Sequence, residues 1–256
     1  MHESSQTVDV DFVAIRYLAG GGDPAWITVP LHRACGWSHG HDPLMPRVIL
    51  SSPDQKTLLR LEPDPEGQWW TIHHTAGPDR PAWYASFGAR TPVEIIAAFT
   101  DALTDPAGHP STARTPFELL DAAGWSPPDH SAGMYRSPDA TTFVETDSGA
   151  WLATTMLGRK RPVWQARFSE GTPLHLITAF TAALADPAPL LRATSPSGLP
   201  TLNPVLISRA RQKVPAVEVA SALEDRVRAL AARHKAPAAA PPALPRRPSA
   251  DPGHTR

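Results

Sequence analysis

Cysteine occurs once in this 256-residue chain, at Cys35, so no intramolecular disulfide is possible. No uncharged apolar run reaches the roughly 18 residues of a membrane-spanning helix. Residues 1–10 are polar and acidic and lack the apolar stretch of a secretory leader. Neither sign of charge is in large excess: the net charge is −1, which argues against a protein built mainly to neutralise phosphates. The patterns G-x-S-x-G, G-x-x-x-x-G-K-[ST] and H-E-x-x-H are all missing. The expectation from these absences is a cytoplasmic protein with no membrane contact, no cofactor and no catalytic residue of a familiar type.

Proline is abundant, with 30 residues, and many of the prolines fall where one element gives way to the next. Apolar residues make up 41%, enough for a sizeable core. Charge is unevenly spread. Residues 1–110 hold 7 Lys and Arg against 13 Asp and Glu, whereas residues 201–256 hold 10 against 4, so only the end of the chain is basic.

Compared with itself, the chain shows a duplication. TPVEIIAAFTDALTDP (91–106) matches TPLHLITAFTAALADP (172–187) at an offset of 81, and at that offset Trp70 meets Trp151 and Trp83 meets Trp164. Toward the N-terminus the offset grows: Ser52-Pro53-Asp54 meets Ser137-Pro138-Asp139 at 85, and Gly36-Trp37 meets Gly124-Trp125 at 88. Each copy reads as a helix (24–35 and 116–123) ending at Gly-Trp, then four strands, then a helix opening at Pro92 or Pro173. The strands fall at 47–51, 57–62, 69–75 and 82–87 in the first copy, and at 133–136, 142–146, 151–156 and 163–168 in the second. The first copy adds a leading strand at 12–18. The predicted class is α+β: tandem (β)-α-β4-α units, antiparallel meanders flanked by helices. Thr91-Pro92, Thr115-Pro116 and Thr172-Pro173 look like N-caps followed by Pro at the first helical position, with Glu94 and Glu118 completing capping boxes.

Ser-Pro-Asp stands between the first and second strand of each meander. Proline presets φ for a turn, and short polar side chains bond the local backbone, so the tripeptide reads as hairpin punctuation. The competing reading pairs Asp54 with Asp139 as an acidic site. Ser-Pro-Asp in both copies, the RYLAGGGDP opening (16–24) and the AFTDALTDP helix together resemble the SPDY-type domain, an actinobacterial family of unknown function often found in tandem. The resemblance covers about 12–192. Gln55 and Ala140 stand where that family has its Tyr, and the resemblance brings no catalytic residue with it.

The resulting domain boundaries are 1–110 and 111–192 for the repeats, 193–213 for a linker, 214–235 for an amphipathic helix and 236–256 for a disordered Pro/Ala-rich tail. In that helix Ala220, Leu223, Val227 and Leu230 form a 3-4-3 stripe. The tail holds Pro242-Ala243-Leu244-Pro245 before two arginines, a polyproline-like ligand pattern.

Among candidate sites, Gly20-Gly21-Gly22 precedes a helix start, but the neighbouring Asp23 and the lack of a nearby lysine favour a tight turn over an anion site. His39, His41, His73 and His74 have no cysteine partners or regular spacing, and no metal site is expected. Cys35 is expected to be buried beside Trp37. Trp83 and Trp164 read as equivalent core residues. Trp69 and Tyr84 have no aromatic counterpart and, by strand alternation, point away from Trp70 and Trp83. They are the candidate partner-binding residues of the repeats, as Leu223, Val227 and Leu230 are of the helix.

Three functional classes follow. The first is a non-enzymatic binding module that recognises a protein partner, with a homodimer through 214–235 as one form of this. The second is a nucleic-acid binder acting through the basic C-terminal end. The third is a small-molecule site or enzyme between the repeats.

Overall fold

The computed structural model describes residues 6–40, 47–62, 64, 67–78, 80–106, 114–128, 133–158, 162–194 and 198–235. The tail at 236–256 and His41 lie outside these residues. The first copy consists of α1 (Ala25–Arg33), β2 (Ser38–Gly40), β3 (Val48–Ser51), β4 (Thr57–Leu61), β5 (Gln68–His74), β6 (Trp83–Gly88) and α2 (Val93–Leu103). The second consists of α3 (Pro116–Ala122), β7 (Met134–Arg136), β8 (Thr142–Asp147), β9 (Ala150–Met156), β10 (Pro162–Phe168) and α4 (Leu174–Ala185). Among the described residues the extra element inside a copy is the short edge strand β2, which pairs with β3.

The two meanders fuse. One nine-stranded sheet runs β2-β3-β4-β5-β6-β10-β9-β8-β7, with β6 antiparallel to β10 at its middle. The register there is informative. Ser86 faces Arg167, its own duplicate at offset 81, and Ala85 and Phe87 face Phe168 and Ala166. A residue opposite its duplicate marks a two-fold axis, so the copies are related by a pseudo-two-fold normal to the sheet between Ser86 and Arg167.

The helices cover one face. Ile95, Ile96 and Phe99 of α2 and Leu176, Ile177 and Phe180 of α4 lie in one buried cluster with Leu59, Trp70, Ile72, Trp83 and Trp164 of the sheet. At the axis, two duplicate pairs of phenylalanines interlock. Phe87 and Phe168 are 5.7 Å apart, and each meets Phe99 and Phe180 at 5.0–5.9 Å. Edge-to-face and offset contacts of this kind add to the stabilisation from area burial alone.

The helix starts divide between two solutions. Thr115 forms the full capping box with Glu118. Thr91 does not: α2 begins one residue later, with Pro92 as its cap, and the Thr91 hydroxyl is buried without a hydrogen-bond partner among the described residues. Glu94 turns instead to Arg192. Thr172 likewise caps nothing, and its hydroxyl donates to the Ser169 carbonyl at 2.8 Å.

A second, smaller sheet corrects two boundaries. The leading strand β1 is Thr7–Ala14, followed by a 3-10 turn at Arg16–Leu18, rather than a strand over 12–18. It lies between β11 (Leu190–Ala193) and β12 (Ser208–Pro215), in the order β11-β1-β12. Residues 193–213 are thus not a plain linker. β12 alternates Arg209, Arg211 and Lys213 with Ala210, Gln212 and Val214, too polar a run to read as a strand. Its partner across the ladder explains it: the buried Asp11 of β1 accepts from both Arg209 and Arg211. The closing helix α5 is Ala216–His234 and packs on α1.

Candidate functional site

In a strand, neighbouring residues face opposite ways. In β5 and β6 this gives a sharp contrast. Trp70 and Trp83 are 2% and 5% exposed on the helix side, whereas Trp69 and Tyr84 are 39% and 45% exposed on the other. Trp164 is as buried as Trp83, and its indole N–H donates to the Tyr17 carbonyl at 2.9 Å. The duplication holds at this pair, whereas Trp151, the duplicate of Trp70, is only half-buried. The open face differs between copies.

Register defines a row across the open face: Ile49, Arg60, Thr71, Ser86, then Arg167, Leu152, Glu145, Met134. The second four are the duplicates of the first in mirror order. The chemistry is asymmetric, since Arg60 is matched by Glu145 and Thr71 by Leu152. Small Thr71 and Ser86 of the first copy form a floor, flanked by the cations Arg60 of the same copy and Arg167 of the second. On one side of this floor the cross-strand pair His73 and Tyr84 stacks with ring centroids 6.2 Å apart. On the other side, roughly 13 Å along β5, stands Trp69, at an irregularity where β5 slips against β6. Arg60 makes no ion pair among the described residues, and its Nε is buried without a partner. Burial, with a smaller push from Arg60, holds the His73 imidazole below its ordinary pKa, so at neutral pH it is an uncharged, stackable ring.

Sequence reasoning found Trp69 and Tyr84 but missed His73 as their neighbour and missed both arginines. The offset alignment carried the signal: every first-copy member of the cluster, Ser86 included, has lost its chemical character in the second copy.

The Ser-Pro-Asp tripeptides lie elsewhere. They sit at the β3–β4 and β7–β8 turns, six strand spacings or roughly 29 Å apart across the sheet, so Asp54 and Asp139 do not form a pair. Each Ser is buried and donates to its own Asp, and its oxygen accepts the amide of Thr57 or Thr142 at 2.9 Å. Gln55 and Ala140, at the fourth position, are left-handed at φ 60° and 57°. The turns follow the punctuation reading.

The C-terminal candidates are largely used inside the chain. Val227 and Leu230 are buried as α5 docks on α1, which withdraws them from partner contact and removes the stripe as a dimer seam. Leu223, half-buried, lines a groove beside α1. Arg226 clamps Asp101 of α2 through both nitrogens, at 3.0 and 2.7 Å, and stacks over Trp26. Arg233 also reaches Asp101, and Arg228 pairs with Asp225. With Arg209 and Arg211 on Asp11, five of the seven described cations in 201–235 are held in ion pairs within the chain, on three carboxylates.

Two other candidates resolve as structural. Gly20 and Gly21 are glycines because a Cβ at either would stand 2.3 or 2.5 Å from the carbonyl oxygen of Gly198 or Ala89. Cys35 is half-buried, 3.4 Å from His234 Nε2, and burial pushes its thiol pKa up, away from the reactive thiolate. Among the described residues no group of three or more His, Cys, Asp or Glu is placed to hold a metal ion, and no helix is long and apolar enough to cross a membrane.

A family model described as SPDY, Domain of unknown function (DUF317), matches residues 51–109 and 126–190. The first segment runs from the end of β3 through α2, and the second from before β7 through α4. No curated protein and no solved structure matches the chain.

Proposed function

We propose that this chain, which carries two tandem SPDY domains, is a non-enzymatic interaction protein that recognises a protein partner with the open face of its fused sheet. The observation that carries the reading is the exposed Trp69 and Tyr84 on a sheet whose other face is fully packed. Tryptophan, tyrosine and arginine are the residue types that dominate protein-interface hot spots. Here all three flank a floor of small residues, in one copy only. Duplication supplied a rigid backing, and divergence of one open half supplied the specificity. The single cysteine fits a place in the cytoplasm, and the resemblance implies an actinobacterial one.

A nucleic-acid reading has one feature in its favour, stacking aromatics beside Arg60 and Arg167 on a sheet face. Against it stands the sparse positive charge, 7 Lys and Arg to 13 Asp and Glu over residues 1–110. The test is affinity capture from native lysate with and without nuclease, using the wild type and the Trp69→Ala, Tyr84→Ala double variant. The expected result is a protein retained after nuclease and lost in a double variant with an unchanged circular dichroism spectrum. Capture that disappears with nuclease, or that survives the double substitution, overturns the proposal.

A further inference from the structure

A separate groove opens away from the sheet face, between β1 and β11, the N-terminal turns of α1 and α2, and the first half of α5. Its volume is about 920 Å³, the size of pockets that enclose drug-sized molecules. Phe12, Trp26, Val93, Leu199, Val219 and Leu223 make its walls apolar.

The charged residues of the lining are Asp23, Glu94, Arg192 and Glu218. Arg192 looks at first like an anion receptor, but its guanidinium has no donor left. The Nε–H goes to the Ala19 carbonyl at 2.9 Å, one nitrogen serves Glu94 and the Leu191 carbonyl, and the other serves Glu94 and the Gly20 carbonyl. These five bonds exhaust the five N–H groups of an arginine. The first amide of each helix at the groove is used as well. The Ala25 amide donates to Asp23 at 2.9 Å, and the Val93 amide donates to the Gly21 carbonyl at 2.7 Å. By strand alternation Arg209, Arg211 and Lys213 lie on the opposite face of the small sheet from Phe12 and Val214. Glu94 is neutralised by Arg192, whereas Asp23 and Glu218 stand exposed at the rim and make no ion pair among the described residues.

We infer that this groove binds a small apolar molecule carrying a positive charge, a hydrophobic amine, and discriminates against apolar anions such as fatty carboxylates. An apolar body fits the walls, the rim attracts the ammonium, and the one cationic group of the lining, the Arg192 guanidinium, is already committed. This site is independent of the sheet face.

Fluorescence titration of the full chain with two probes of one apolar body tests the inference: dansylcadaverine, an amine, and dansylglycine, a carboxylate. Saturable binding of the amine, with a dissociation constant about tenfold or more below that of the carboxylate, is the expected result. Val219→Trp with Leu223→Trp, which fills the groove, should abolish it. Asp23→Asn with Glu218→Gln, both exposed and harmless to folding, should bring the two affinities together. No saturable binding of the amine, equal or tighter binding of dansylglycine to the wild type, or a preference unchanged in the charge variant would each overturn the assignment.

Discussion

Gln55 and Ala140 close their turns in the left-handed region, where a side chain strains the backbone. The Ser-Pro-Asp residues before them hold that conformation by filling every local bond. The two copies differ in what else they hold. Asp54 is exposed, and the Ser52 hydroxyl and the Lys56 amide keep its carboxyl below the ordinary range. Asp139 does more: it also accepts the Tyr17 hydroxyl at 2.8 Å and the Thr141 hydroxyl at 2.8 Å. Tyr17 is buried, and its burial raises its pKa, so at neutral pH it is always the donor. Asp139→Ala should therefore cost about 1–3 kcal/mol in urea denaturation, and Asp54→Ala within about 1 kcal/mol. Partner capture should survive in both. Equal losses, or a folded Asp54 variant that fails to bind, would return these residues to a functional role.

Among the elements, the small sheet shows how a strand can be invisible in sequence. β12 has no apolar face of its own, and β1 carries a buried Asp11, 2% exposed. Each looks wrong alone, and together the buried carboxylate and the arginines pair. The hydrogen bonds from Arg209 and then Arg211 lower the Asp11 pKa from its ordinary 3.8 against the opposing pull of burial. A carboxyl lowered in the folded state contributes stability that is fully present above its unfolded pKa and is lost as pH falls through the lower folded one. The wild type should thus lose melting temperature from about pH 5 downward. Asp11→Asn should cost about 1–3 kcal/mol at neutral pH and show a shallower acid decline. An unchanged acid profile in the variant would mean that Asp11 is not the group responsible. The same logic explains Glu94: its place after Thr91 pointed to a capping box, but a partner 98 residues away, Arg192, outcompeted a local backbone amide.

For the whole molecule, the repeat, the strand alternation and the inward tryptophans were legible because they depend on local pattern alone. So were the outward Trp69 and Tyr84. The union of the copies was not, since the pairing of β6 with β10 leaves no mark on either strand beyond a hydrophobic alternation that any neighbour satisfies. The row Arg60-Thr71-Ser86-Arg167 exists only through that union, because Arg167 comes from the other copy. The docking of α5 was hidden for a similar reason: a 3-4-3 stripe fits a partner helix as well as α1. Hydroxyl-radical footprinting addresses the recognition face most directly. In the isolated chain Trp69 and Tyr84 should oxidise readily while Trp83 and Trp164 stay silent. In the complex recovered from cells, Trp69 and Tyr84 should become protected. Full oxidation of both in the complex would mean that the partner binds elsewhere.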